Sequence, residues 1–441
     1  MKTIIIGGVA AGMSAASKLR RLNPKMTITV YEMGEDLSYG GCGMPYFLGD
    51  VIKDENKLLA RNKDDFEKQN IQVYLNHEVT HLDYKHQSIE IFDRENKKTI
   101  KDKFDYLVIA TGTKANRTNI PGSKEVNPYV LNTLEDARKI KANMKDVKEV
   151  AIIGGGYIGL EIAENFAHLG IKVHIIERAK QLLIVYDTFV AQKAKEILEK
   201  ENIQIYLDEA LESYEKDHQK TIIKTNNRTL SVDMVIEAIG VRPNTEFLKN
   251  SGIQMLKNGA IITNEYQETS LKNVYSAGDC SSYHHLLTKE KVFVPLGTHA
   301  NKTGKIIAEN IEGNQVRFKG IIGSNILKIA DYAFAKTGLG FDEAKRLGLN
   351  YDFVDITAKN QSGYYPGAEP IFVRMVYDPQ TKIIKGCQMV GKKGVSDRIN
   401  IMALAITKEL TADEFSQLDL AYAPPFSPVW DPLLVASNQI K

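Results

Sequence analysis

Two stretches of the chain share one arrangement of apolar and polar positions. Residues 2–22, KTIIIGGVAAGMSAASKLRRL, pass from an apolar block through glycines into an alanine-rich segment of helical spacing. Residues 26–32, MTITVYE, then alternate apolar and polar positions and end on Glu32. Residues 148–170, KEVAIIGGGYIGLEIAENFAHLG, repeat the plan, and residues 171–178, IKVHIIER, carry Glu177 at the end of their apolar run. Each stretch reads as strand, turn, helix and strand, with an acid about 20 positions past the glycines. Beyond residue 320 the texture changes. Residues 325–339, NILKIADYAFAKTGL, read as strand-like, and residues 395–410 place Ile399, Met402, Ala403 and Ile406 at helical spacing. Pro and Tyr cluster in SGYYPGAEP and AYAPPFSPVWDP.

The pattern predicts an α/β fold with two Rossmann-like dinucleotide-binding domains and a C-terminal α+β domain over 321–441. Within the second unit, Gly154 permits a tight turn, Gly156 lets a pyrophosphate approach the backbone, and Gly159 lets helix and strand pack closely. The helix N-terminus then faces phosphate, and Glu177 accepts from a ribose. The first unit has Gly7 and Gly12 but carries Val9 where the second glycine would stand. On the first helix, Ser14, Lys18 and Arg21 fall on one face beside an apolar stripe of Ala15, Leu19 and Leu22.

Composition narrows the partners. The 441 residues carry 57 basic and 55 acidic side chains, a net charge of +2, which gives nucleic acid no electrostatic footprint. No apolar run reaches the length of a membrane span. The apolar stretch after Met1-Lys2 is too short for a signal-peptide core and meets a glycine motif at once, which predicts a soluble, cytoplasmic protein. Three cysteines, Cys42, Cys280 and Cys387, are too few and too scattered for a disulfide framework or a zinc site.

Three further segments carry chemistry. SYGGCGMPYFLGD, from Ser38 to Asp50, sets Cys42 among glycines ahead of Pro45. If Pro45 opens a helix, the dipole of that helix favours the Cys42 thiolate. Gly40, Gly41 and Gly43 would leave room for a ring and a bulky substrate. DYLVIATGTK contains Ala110-Thr111-Gly112, and NVYSAGDCSS contains Gly278-Asp279. Together with the two βαβ units, these segments resemble the two-domain flavoproteins of the pyridine nucleotide–disulfide oxidoreductase superfamily.

That resemblance implies an FAD-binding domain in two parts, 1–112 and 246–320. An NAD(P)H-binding domain over 113–245 interrupts it, and a dimerisation domain spans 321–441. It implies FAD contacts at Gly7, Gly12, Glu32, Gly278, Asp279 and Ala300. Ala110, Thr111 and Gly112 mark one crossing between domains, and Gly240 the return. Gly154, Gly156, Gly159 and Glu177 would hold the pyridine nucleotide. Glu177 favours NADH, while neighbouring Arg178 and Lys180 leave NADPH open. Tyr157 would gate the flavin face, with Glu161 at its edge.

Phe47 stands where most of these reductases carry a second cysteine, so the chain resembles the single-cysteine branch, and coenzyme A-disulfide reductases most. In that branch Ser38-Tyr39 precedes Cys42-Gly43-Met44-Pro45-Tyr46. The resemblance implies a homodimer in which Tyr364 and Tyr422 of one subunit face Cys42 of the other. It implies a substrate grip by Ser14, Lys18, Arg21 and Ser38, and a Cys42 that cycles through a mixed disulfide with coenzyme A. Oxidases and peroxidases of the branch usually have a histidine at the position of Ala10, which disfavours oxygen chemistry here. Trp430 replaces a basic residue of some coenzyme A-specific relatives. Persulfide or polysulfide reduction and NADH oxidation therefore stay open, as does a noncatalytic NADH-sensing flavoprotein.

Overall fold

The computed structural model describes residues 1–441. The first apolar block forms the strand Lys2–Ile6, the middle of a five-stranded parallel sheet. Its order is Val274–Ser276, Tyr106–Ile109, Lys2–Ile6, Thr27–Tyr31 and Ile71–Tyr74. Strands covered on both faces have no need of alternation, which is why "TIII" and "YLVI" are continuous apolar runs. The helix Ala10–Leu22 buries Ala11, Ala15, Ala16 and Leu19. It lies so close to the helix Gly297–Ile311 that a Cβ on Gly304 would stand 2.2 Å from the Ala11 carbonyl oxygen.

The second unit forms a four-stranded parallel sheet in the order Gln204–Tyr206, Lys172–Ile176, Glu149–Ile153, Met234–Glu237. Each unit also carries a three-stranded antiparallel sheet, His77–Lys103 in the first and Leu211–Val232 in the second. The two chain crossings between the units pair with each other. Thr113–Ala115 runs antiparallel to Val241–Pro243, and Thr111 Oγ1 donates to the Asn244 carbonyl at 2.7 Å.

The C-terminal region is a five-stranded antiparallel sheet ordered Asn325–Ile329, Tyr332–Gly338, Ile384–Gly391, Pro370–Tyr377, Asp352–Lys359. The single strand-like stretch expected at 325–339 is in fact a hairpin. It turns at Ala330, whose φ of 49° reverses the chain. The expected helix spans Val395–Thr407 and stops before Glu409, which has a φ of 55°.

The second unit is fastened to this C-terminal sheet by buried polar groups. Asp187, 1 % exposed, accepts from the backbone N–H groups of Phe341 and Asp342, both at 3.0 Å, and from Arg374 Nη1 at 3.2 Å. A buried carboxylate is tolerable only with such partners. One apolar cluster crosses the boundary, joining Ile152 and Leu160 to Phe334 and Val390. The same cluster takes in Met44, Phe47 and Leu48, which follow Cys42 in the chain.

Candidate active site

Both glycine turns are forced by their neighbours. Gly7 has φ +104° and a Cβ there would lie 2.2 Å from the Ala110 carbonyl oxygen; Gly154 has φ +112°, with Ala238 O at 2.4 Å. No other residue takes that conformation beside so near a backbone atom. Gly12 and Gly159 sit where helix meets strand, since a Cβ would meet Gly7 O at 1.9 Å and Gly154 O at 2.2 Å. Gly156 has nothing within 4 Å of its Cβ position, so protein packing gives no reason for a glycine there. Val9, at the equivalent place, has φ −103° and precedes the first helix.

The two acids are held by their own loops. Glu32 Oε2 accepts from Gly8 N at 2.6 Å and Oε1 from Gly34 N at 2.8 Å. Glu177 Oε2 accepts from Gly155 N at 2.7 Å and Oε1 from Ala179 N at 2.7 Å. Each oxygen keeps a further lone pair for a ribose hydroxyl. Burial pushes the Glu32 carboxyl up, and the loop amides work against that shift.

A cavity of about 1300 Å³ runs between the two loops. Its wall includes Gly7 and Glu32 at one end and Gly154, Gly156 and Glu177 at the other. Between them lie Cys42, Tyr157, Glu161 and Asp279. Ala110, Thr111, Gly112, Gly240, Gly278 and Ala300 also face it. A second hollow of about 330 Å³ shares Gly7, Glu32 and Thr111 with it and is lined further by His77 and Val79. The larger volume exceeds the usual small-ligand pocket and is room for more than one bound molecule.

The donor set fits a flavin dinucleotide. Asp279 Oδ1 is buried with no partner in the protein, and burial pushes its carboxyl up to about 6. An unpaired buried carboxylate beside a glycine turn and the N-terminus of a 15-residue helix marks a place that a polar ligand completes.

Cys42 lies in a single 3₁₀ turn, Gly41–Gly43, ahead of the short helix Met44–Leu48, and is exposed to the cavity. Pro45 does sit in the first turn of that helix, but the effect on the thiol is opposite to the one expected. Burial pushes the thiol up, and the charges of Glu161 and Asp279 add to the shift. Burial is the largest of these causes, and a five-residue helix does not offset it. Glu161 is itself pushed up to about 7 by burial and by Glu164, so near neutral pH it carries a proton part of the time. Gly40 and Gly41 are open, as expected. Gly43 serves packing instead, because a Cβ there would come within 2.4 Å of Leu58 Cδ2.

Of the residues expected to grip substrate, two have partners on a neighbouring helix. Ser14 Oγ donates to Asn301 Oδ1 at 2.7 Å and Lys18 Nζ pairs with Glu309 at 2.6 Å, so both tie the first helix to Gly297–Ile311. Arg21 is exposed. Ser38 has φ 52°, and its N–H donates to Gly8 O at 2.8 Å. Tyr364 and Tyr422 lie outside the cavity, on the C-terminal surface, with their hydroxyls 3.1 Å apart. That hydrogen bond holds the Tyr364 phenol below its ordinary range and pushes Tyr422 up.

Sequence reasoning placed Tyr39 in the cysteine motif but missed that it lines the cavity. It also missed Asp187 and Arg374, and the grip of Arg138 on the cysteine loop. Only the last had a local signal. Thr133 and Asp136 form a capping box that starts the helix Leu134–Ala142, but nothing in the sequence says which surface that helix covers.

Comparison with known proteins agrees with this geometry. Residues 1–304 match the pyridine nucleotide-disulphide oxidoreductase family and residues 325–432 its dimerisation domain. The chain is 32% identical over 430 residues to coenzyme A disulfide reductase of Staphylococcus epidermidis, covering 97% of this chain and 96% of that protein. Reduced Bacillus anthracis CoADR-RHD superposes with a TM-score of 0.97 at 30% identity, over 100% of this chain and 80% of that one. The NAD-dependent persulfide reductase from A. fulgidus gives 0.95 at 33%, over 99% and 82%. The water-forming NADH oxidase from Lactobacillus brevis gives 0.97 at 28%, over 99% and 97%. The family implies FAD and a pyridine nucleotide, and no helix of the chain is long and apolar enough to cross a membrane. Twin glycine loops on one cavity, an exposed cysteine between them and the matched models over most of the chain lead to one assignment: this is an enzyme of the pyridine nucleotide-disulphide oxidoreductase family.

Proposed function

We propose that the enzyme reduces a low-molecular-weight disulfide with NAD(P)H, through Cys42 alone, and that coenzyme A disulfide is the leading substrate. The observation that carries this reading is the isolation of Cys42. Cys280 is buried and bonded to the carbonyls of Ile109 and Ala277, and Cys387 is in the core of the C-terminal sheet. A resolving sulfur must therefore come from the substrate.

The overall reaction is RSSR + NAD(P)H + H⁺ → 2 RSH + NAD(P)⁺. The Cys42 thiolate attacks one sulfur of RSSR, the S–S bond breaks, and RS⁻ leaves. A Cys42–S–SR mixed disulfide remains. Two electrons, originating in NAD(P)H, then cleave that bond and return the Cys42 thiolate with a second RS⁻. FAD, when bound, supplies the two-electron relay between nicotinamide and sulfur. Asp279, Gly7 and Glu32 hold it, and Glu177 orients the pyridine nucleotide and selects NADH through its carboxylate. Tyr157 shields the cavity from water until nicotinamide enters.

Glu161, poised near neutrality, can pass a proton toward the departing thiolate. In a homodimer, Tyr364 and Tyr422 of one subunit do the same for Cys42 of the other. Tyr364 is 76 % and Phe426 80 % exposed in the single chain, a degree of aromatic exposure that a second copy would cover.

The commitment of Ser14 and Lys18 to the neighbouring helix favours a second reading, in which the substrate is a persulfide or polysulfide without an ADP moiety. Cys42→Ser tests the shared core of both. Disulfide and persulfide reduction should fall to background while FAD stays bound. Unchanged turnover in that variant overturns the proposal.

A further inference from the structure

Resting on the reading that Cys42 is the reacting sulfur, we propose that Arg138 is a positioning residue for Cys42. It holds the cysteine loop of the first domain in place from the second. The loop runs from Asp36 to Leu58, and its short helix is anchored in the core through Met44, Phe47 and Leu48. Its centre is glycine-rich, and Gly40 and Gly41 stand in loose surroundings, with no atom closer than 3.8 Å to a Cβ placed on either. Its ends are zipped to each other, Gly40 N to Leu58 O and Ala60 N to Ser38 O, both at 2.8 Å.

A polar restraint on both sides of Cys42 comes from the helix Leu134–Ala142. Arg138 makes a bidentate pair with Asp36, Nη1 to Oδ2 at 2.7 Å and Nη2 to Oδ1 at 2.9 Å, and its Nε donates to Glu55 Oε2 at 3.1 Å. One guanidinium thus grips the loop on both sides of Cys42. Lys141, one turn along, donates to the Leu48 carbonyl at 2.9 Å and pairs with Asp50 at 2.8 Å, which closes the short helix after Cys42.

The geometry separates this group from an ordinary surface pair. Exposed pairs contribute little, but a planar fork on one carboxylate fixes direction as well as distance. Asp36 is only 15 % exposed. The loop also meets the second domain closely, since a Cβ on Gly49 would stand 2.1 Å from Asn165 Oδ1 on the helix that carries Glu161. Arg138 therefore sets where Cys42 stands relative to Tyr157 and Glu161. A displacement of about 1 Å at a reacting atom costs on the order of 100-fold in rate.

The test compares Arg138→Met and Arg138→Lys in the FAD-loaded enzyme, with Asp36→Asn as a second, milder variant should the first fail to fold. Three quantities are read: NAD(P)H-driven reduction of coenzyme A disulfide, NAD(P)H-driven reduction of ferricyanide, and the rate at which iodoacetamide alkylates Cys42. Ferricyanide takes electrons without a thiol, and alkylation needs no disulfide substrate. The test thus survives even if coenzyme A disulfide is the wrong substrate. Arg138→Met should lose about tenfold in disulfide turnover relative to ferricyanide turnover and change the alkylation rate, with partial recovery in Arg138→Lys. Asp36→Asn should move the same readings by less. Parallel loss of both turnovers, or unaltered alkylation in a folded variant, overturns the proposal.

Discussion

The two dinucleotide units build the same loop contacts on two different amounts of packing, and the difference tells which half can be altered independently. In both, a left-handed glycine abuts the next strand and an acid closes the loop through two backbone amides. The first loop, however, is completed by Val9 and a buried acid, and its helix shows the cavity only alanines. The second has the open Gly156, a half-exposed Glu177, and a helix that sends Tyr157 and Glu161 toward Cys42. On the function proposed above, the first unit retains its ligand and the second exchanges one and acts on it.

The largest effects should come from breaking the glycine turns one at a time. Gly7→Ala should abolish FAD retention, seen as loss of flavin absorbance in the purified protein. Gly154→Ala should keep FAD and raise the KM for NADH by more than about tenfold, since strain of a few kcal/mol falls on the exchangeable site alone. Equal loss of flavin in both variants would erase the distinction between the halves. Glu177→Ser should come next, narrowing the NADH-over-NADPH ratio of kcat/KM by about tenfold, as expected when one charge facing a 2′-phosphate is removed.

A smaller effect concerns the sulfur. The Glu161 charge opposes the Cys42 thiolate, so Glu161→Gln should lower the thiol pKa and move the pH profile of alkylation to lower pH. A shift to higher pH would mean that the carboxyl acts on Cys42 chiefly as a hydrogen-bond donor. The smallest effect is expected for Val9→Gly. With an unstrained φ at that position, FAD content should stay within about twofold.

Much of this comparison was legible in the sequence, because its causes are local. Strand, turn, helix and acid recur at fixed spacing, and Gly7, Gly12, Gly154 and Gly159 have the roles their positions imply. What was not legible depends on groups far apart in the chain. The Cys42 thiol is raised by burial first and then by Glu161 and Asp279, both more than one hundred residues away, against the local cue of Pro45. The sequence places Lys18 on a helix face with Ser14 and Arg21, but only the fold brings Glu309 to it from the helix Gly297–Ile311. The hairpin at Ala330 was hidden because an alanine gives no turn signal.

The most direct measurement of the central claim is denaturing mass spectrometry of the purified, unreduced enzyme, with a reduced control and peptide mapping. A coenzyme A adduct on Cys42 that is lost on reduction is the predicted result. An unmodified or oxygen-oxidised Cys42 contradicts it, and an adduct of sulfur alone moves the substrate from coenzyme A disulfide to a persulfide or polysulfide.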